Sequence, residues 1–427
     1  MAQYILEHLE DDIIKCMKCG NCQAFCPIYK ETKMEGDVAR GKIQLAAAVL
    51  AGEIGYSPSV EKRLLNCLTC KACSANCPCG VDCTKIIVAA RQALGAKKGL
   101  PKIKRAIFEV VKRPMIFDLS MRSAAIFSPL MFNKKGKLRV PVVLNPKKVY
   151  PLLSTSPVKN RLPEFNPASA EAKQRAKKPT KVALFTGCSM NYIYPNVGKS
   201  IVEILNANGV DVVIPKDQSC CGAPIYIHGD RKAAIGMAKG NIAAMNKHDD
   251  IEAIITGCGT CGSQWQKYFP EMMEDQPEAE KSKEYSKKVY DIAYFLTDIL
   301  QIDTSLLGEV NRTVTYHDPC HLKRGMNVYK EPRQLLKSIP GLKFVEMKNA
   351  DRCCGGAGSF SLTHFDLSMD IHKHKTEALK ASGADTVVTG CGSCMMQFAD
   401  GHDQAKIEVP IMHTMEVLAE SYRNKKS

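Results

Sequence analysis

The chain has 427 residues, 45% hydrophobic and 24% charged, an ordinary soluble composition long enough for roughly two to four domains and unlike a disordered or fibrous sequence. Its longest apolar runs, such as AAAVLA at 46–51, stop far short of the ~20 residues that cross a bilayer, which excludes a helical membrane subunit. The net charge of +15 is localised, with 20 Lys and Arg against 4 Asp and Glu between Lys97 and Thr180 and the rest near neutral, so a uniformly basic nucleic-acid binder is excluded.

The N-terminus, MAQYILEHLEDDIIK, is acidic early and has no basic segment leading into an apolar one, so no signal peptide is expected. The 20 cysteines fall in tight clusters, ten between residues 16 and 83 and ten between 188 and 394. In a long chain without an export signal, clustered thiols point to metal rather than disulfides.

Cys16, Cys19, Cys22 and Cys26 before Pro27 form a C-x2-C-x2-C-x3-C-P run, and Cys67, Cys70, Cys73 and Cys77 before Pro78 form a second. A zinc site wants C-x2-C pairs rather than a proline-terminated run of four. The runs resemble those of two-cluster ferredoxins, where the fourth cysteine of each run ligates the other cluster. The resemblance implies a cubane 4Fe–4S cluster on Cys16, Cys19, Cys22 and Cys77 and another on Cys67, Cys70, Cys73 and Cys26. Residues 36–55, 57–66 and about 82–98 read as helices, giving a small helical module over 1–95. Cys79 and Cys83 are expected to be structural, Cys83 at an apolar helix position.

Residues 96–180 form the basic stretch, with seven prolines from Pro141 to Pro179 that read as an extended, semi-rigid linker. Within 102–137 apolar segments alternate with Lys and Arg. This suits a solvated linker face, docking on an acidic partner subunit, or peripheral contact with an anionic membrane.

The last ten cysteines are an internal repeat. Set A (Cys188, Cys220, Cys221, Cys258 and Cys261) recurs as set B (Cys320, Cys353, Cys354, Cys391 and Cys394) at offsets of 132 or 133 residues. Two units follow, 181–305 and 306–427. KVALFTG, DVVIP and IEAIITG read as strands of the first unit, and TVTYHDPC, KFVEM and ADTVVTG as their counterparts. Strands alternating with helices give βαβ units on a parallel sheet, with the cysteines at the strand carboxyl ends where ligands gather. The expected fold class is thus α+β multidomain: a helical two-cluster module, then two tandem α/β cysteine-rich domains.

Five thiols exceed the four of a cubane, so the fifth bridges irons or stands apart as a redox thiol. Gly222 and Gly355 after each cysteine pair let backbone N–H groups approach sulfur. GGAG at 355–358 does not fit a dinucleotide fingerprint. His317 and His321 flank Cys320 in HDPCHLKRG, with no counterpart beside Cys188. They suit either capping and hydrogen bonding around sulfur or proton donation in thiol or quinone chemistry. Asp318 is expected to cap a helix, and Trp265 and the 18 methionines to pack in cores.

With GDVARGKI after the first run, KRP at 112–114 and CCGGAGSFSLTHFDLS at 353–368, the whole chain resembles the iron–sulfur subunits of glycolate oxidase and related lactate dehydrogenases. It is also similar to the heterodisulfide reductase catalytic subunit and to the iron–sulfur subunit of anaerobic glycerol-3-phosphate dehydrogenase. The resemblance implies that a separate FAD subunit oxidises a D-2-hydroxyacid and that this chain passes electrons to a quinone, cytochrome or other acceptor. It also implies one or two further 4Fe–4S clusters, non-cubane in the reductase, on sets A and B. Completeness of both sets keeps open a catalytic thiol–disulfide reductase. Either role fits the cytoplasm, or the inner face of its membrane.

Overall fold

The computed structural model describes residues 6–135, 138–141, 147–176, 180–248 and 250–426. In the N-terminal module, helices α1 (Glu10–Ile14), α2 (Ala39–Leu50), α3 (Pro58–Leu65) and α4 (Cys83–Lys98) surround the two cysteine runs. Helix α3 starts at Pro58 with Ser57 Oγ accepting from the Val60 N–H (3.3 Å). Helix α4 starts where Asp82 accepts from the N–H groups of Thr84 and Lys85 (3.1 and 3.2 Å). Its Ile86, Ala89, Ala90, Ala93 and Leu94 pack on Ile43 and Ala46 of α2 and Leu64 of α3. Val88 instead joins the core of the first α/β unit, so α4 is the strut between module and unit. Two glycines permit the approach: Gly229 has φ +104°, and a Cβ there would lie 2.6 Å from the Arg91 carbonyl, while one on Gly95 would lie 3.0 Å from that of Gly229.

The basic stretch is more regular than an extended linker. It opens with helices α5 (Lys102–Val111) and α6 (Pro114–Met131), the second begun by a proline that already has the helical φ. Strands β1 (Phe132–Lys135), β2 (Leu138–Pro141) and β3 (Tyr150–Pro151) then form an antiparallel sheet, and β4 (Phe165–Asn166) joins the first α/β sheet. Pro163 and Pro167 flank β4, and its place at the sheet edge is where missing N–H donors do least harm. Two of the linker prolines, Pro146 and Pro179, lie outside the described residues.

In the first unit β5 (Thr180–Phe185), β6 (Val210–Val213), β7 (Ala253–Thr256) and β8 (Val289–Asp291) give the order β4-β6-β5-β7-β8, parallel except for β4. In the second, β9 (Arg312–His317), β10 (Leu342–Phe344), β11 (Thr386–Thr389) and β12 (Ile411–His413) give the parallel order β10-β9-β11-β12. The repeat is therefore visible in the strands: β5 and β9 are the equivalent central strands. The two units share their cores. Helix α7 (Pro195–Ala207) of the first packs on α8 (Thr414–Lys426) at the end of the chain, where Asn208 Nδ2 donates to Tyr422 Oη (2.8 Å) and Arg423 pairs with Glu203 (2.7 Å). The fold is α+β and multidomain.

Candidate metal centre

Cys16, Cys19, Cys22 and Cys77 line one cavity of the module, together with Arg40. Cys26, Cys67, Cys70 and Cys73 line a second, with Lys42. The fourth cysteine of each run thus lies with the other run, because Pro27 turns the chain into a new helix whose N–H at Tyr29 donates to Cys26 Sγ (3.5 Å). Non-glycine residues with left-handed backbone gather in these loops, at Lys18 (φ 57°), Thr69 (φ 50°) and Lys71 (φ 59°). Such turns curl each loop around its thiols and cluster at functional sites. Burial pushes the Cys26 thiol up to about 12, opposed by the Tyr29 N–H and the Lys42 ammonium. Cys79 and Cys83 line the first cavity as well; Cys83 Sγ donates to the Val81 carbonyl (3.6 Å) and touches the sulfur of Cys73.

Sets A and B sit in the loops after the parallel strands. Within A, Cys220, Cys221, Cys258 and Cys261 are buried in one core with Cys188 packed against it. Within B, Cys320, Cys353, Cys354, Cys391 and Cys394 line one cavity. Gly222 (φ +77°) and Gly355 (φ +91°) follow the cysteine pairs in a conformation that a side chain strains, and a Cβ at Gly355 would lie 2.6 Å from the Ser368 carbonyl. Neighbouring thiols from Cys220 and Cys261 draw Cys221 down to about 6. The neighbouring Cys353 and Cys394 hold Cys354 well below the usual thiol range. Each set is thus a knot of soft sulfur donors in which neighbouring thiols and burial push Cys188, Cys220, Cys261, Cys353 and Cys394 up, while Cys221, Cys354 and Cys391 give up their protons readily; such a set of soft donors fits iron–sulfur clusters.

The sets also meet one another. Cys258 and Cys391, one from each unit, are 3.6 Å apart at sulfur. Cys70 of the module packs with Cys353 in one buried cluster. Set B therefore stands between the module and set A, although set A comes first in the chain.

His317 is buried in set B: Nδ1 meets the Ala350 carbonyl at 3.1 Å, and its ring atoms converge with Cys354 and Cys394 within 4.8 Å. His321 faces away from sulfur, with Nε2 3.1 Å from the Thr69 carbonyl and Nδ1 3.2 Å from Thr260 Oγ1, tying a module loop to the first unit. Burial lowers its basicity. Asp318 is not a helix cap; its buried carboxylate receives both Nη atoms of Arg333 (2.7 and 2.9 Å). Trp265 is in the core as expected, but Met115 is 87% exposed.

Sequence reasoning missed the basic groups buried beside the thiols. Arg91 in α4 donates to the carbonyls of Leu64 (2.9 Å), Leu65 (3.0 Å) and Cys67 (2.7 Å). Lys42, Arg324 and Lys375 are similarly placed, and burial lowers Lys375 to about 8 against the pull of Cys354. Cations buried this close to thiolates offset the negative charge of a cluster. It also missed His228, whose Nε2 lies 2.6 Å from Ser359 Oγ. His228, His321, Thr260, Arg91 and Cys354 line a cavity between the module and both units. No motif marks these residues; an isolated His or Arg carries no sequence signal.

Two families match. A 4Fe-4S dicluster domain covers residues 12–81, and a cysteine-rich domain matches twice, at 182–266 and 314–399. The chain is 34% identical, over 98% of its length and 96% of the relative's, to the "Probable glycolate oxidase iron-sulfur subunit" of Bacillus subtilis (strain 168). It is 25% identical to the glycolate oxidase iron–sulfur subunit of Escherichia coli (strain K12), covering 91% of this chain and 90% of that one. It is 28% identical to a subunit of the fumarate reductase (CoM/CoB) of Methanothermobacter marburgensis, covering 95% of this chain and 72% of that one. Both matched domains coincide with the cysteine sets just described, and the chain belongs to the family of glycolate oxidase iron–sulfur subunits.

Proposed function

We propose that this chain is the electron-transfer subunit of a flavin-linked D-2-hydroxyacid dehydrogenase, taking electrons from an FAD-bearing partner and delivering them to a quinone or another acceptor. Cys16, Cys19, Cys22 and Cys77 hold one cubane 4Fe–4S cluster, and Cys67, Cys70, Cys73 and Cys26 a second. Sets A and B hold further 4Fe–4S clusters. Clusters at these sites supply one-electron chemistry that no side chain of the chain provides. The protein's part is placement: Cys70 of the module is buried with Cys353 of set B, and Cys258 of set A lies 3.6 Å from Cys391 of set B. The shared burial of Cys70 and Cys353 carries the reading, since it joins the module to the α/β units. Lys42, Arg91 and Lys375 offset the negative charge of the bound groups.

The arm α5–α6 extends the reading to an anionic membrane surface on the cytoplasmic side. Ile107, Met115, Ile116, Leu119, Ile126 and Phe127 are exposed there among Lys102, Arg105, Lys112, Arg113 and Arg122. That mixture suits the interface between lipid headgroups and acyl chains. Among the described residues no helix is long and apolar enough to cross a membrane.

The test is an anaerobic purification of the tagged chain from its host. A flavoprotein should accompany it, and D-lactate or glycolate should bleach the cluster absorbance. A second reading, thiol–disulfide reduction at set B with His317 or His321 as proton donor, is favoured by the cavity beside Cys354. Reoxidation of the reduced chain by a small disulfide, with no flavoprotein partner, would replace the first reading with the second.

A further inference from the structure

We propose that His317 is a nitrogen ligand of the metal centre held by set B, so that two sets with the same five thiols hold chemically different centres. This rests on the reading that set B binds an iron–sulfur cluster.

The asymmetry begins in the repeat. His317 ends β9, opposite Thr389 of β11, and Phe185 ends β5, opposite Thr256 of β7. The two residues occupy one structural position, with a phenyl ring in the first unit and an imidazole in the second. Phe185 meets the Trp265 ring edge-on at 5.5 Å and has nothing to offer a metal. His317 is 1% exposed, and everything around it constrains what the ring can do.

Nδ1 faces the Ala350 carbonyl at 3.1 Å, a pure acceptor, so Nδ1 carries the proton and Nε2 a lone pair. Nε2 is buried without a hydrogen-bond partner. A ring nitrogen of His317 converges with Cys354 Sγ and Cys394 Sγ, the three atoms lying within 4.8 Å of one another, and with Nδ1 held by the Ala350 carbonyl, Nε2 is the nitrogen open to a metal. Once those cysteines bind iron they are thiolates and hold no proton to donate. The lone pair would then be an orphan in the core unless it meets the metal. An imidazole that gives its other N–H to a backbone carbonyl has the arrangement of metal-binding histidines generally. Phe398, edge-on at 5.1 Å, holds the ring. On the far side His372 Nδ1 donates to the Cys354 carbonyl (2.9 Å), which can only accept.

Ligand type sets the reduction potential of an iron–sulfur centre. Set B would therefore differ in potential from set A, beside the cavity lined by His228 and His321.

The test uses the full holoprotein, reduced until the set B signal appears, with histidine at natural abundance and labelled with nitrogen-15. Pulsed electron paramagnetic resonance should show a strongly coupled nitrogen that changes with the isotope. His317→Phe, which copies the first unit, should abolish that coupling and shift the potential of the signal. A set B signal with only weak nitrogen coupling, identical in His317→Phe, would mean that a protonated His317 merely hydrogen-bonds to sulfur, and the inference fails while the cluster reading stands. If His317→Phe fails to load iron, the isotope comparison in the native chain still decides. Failure of the underlying reading is separate: Cys354→Ser would then leave iron content and every signal unchanged.

Discussion

Arg91 shows how much one side chain of this protein does. Its guanidinium is buried, burial opposes its charge, and the Cys67 thiolate favours it. It also closes the end of α3 by taking the Leu64 and Leu65 carbonyls and reaches Ile227 of the first unit at 3.4 Å. Arg91→Leu should leave these carbonyls unpaired, costing about 3 kcal/mol, and should lower iron retention by the neighbouring set. Chemical denaturation and iron analysis of the anaerobic protein check both. His413 makes a pH prediction. Burial lowers it to about 4, with Nε2 donating to the Gly257 carbonyl (2.9 Å) and Nδ1 accepting the Met415 N–H (3.2 Å). The unfolded chain binds this proton near 6.5, so its stabilisation is complete above that value and is lost as the pH falls toward 4. By pH 5 about 2 kcal/mol should be gone. The stability deficit of His413→Gln relative to the native chain should accordingly shrink between pH 7.5 and pH 5 in urea titrations.

At the level of elements, the glycine that matters most is Gly259. A Cβ there would lie 2.7 Å from Leu322 Cβ, so its absence lets the helical turn Gly259–Ser263 rest on His321–Gly325. That contact holds Cys258 against Cys391. Gly259→Ala should cost about 2 kcal/mol and weaken the magnetic interaction between the signals of sets A and B. The arm α5–α6 makes a different prediction. The full chain should sediment with anionic vesicles and not with neutral ones, and Met115→Ser with Leu119→Ser and Phe127→Ser should abolish this without lowering the melting temperature. The strands that the sequence reveals are those whose apolar runs lead into cysteines: β5, β6, β7, β9 and β11 stand where KVALFTG, DVVIP, IEAIITG, TVTYHDPC and ADTVVTG predict. The strands β8 and β12 escape because VYD and IMH are three residues long, too short for periodicity to register. The arm escapes for another reason: its apolar segments alternating with Lys and Arg read as a solvated linker face, although Pro114 sits at the first helical position, where proline does no harm.

Across the whole molecule, cysteine spacing exposes the repeat and the two runs but says nothing of which set faces which. Adjacency of Cys70 and Cys353 is a tertiary contact between distant segments, and no local pattern encodes it. The same holds for the shared core, in which Val182, Ile204 and Leu205 of the first unit pack with Val417, Leu418 and Tyr422 of the second. Removing residues 411–427 should therefore unfold both units rather than fray one end. The intact chain should lose both in a single transition, read by circular dichroism together with cluster absorbance. The Cys70–Cys353 contact also has a consequence for synthesis. At about 5–20 residues per second, roughly 15–60 s separate the emergence of its two halves from the ribosome. Throughout that interval the second cysteine run has its thiols uncovered on the side that set B later closes, so metal delivery to the module has a window that ends when the C-terminal unit folds over it.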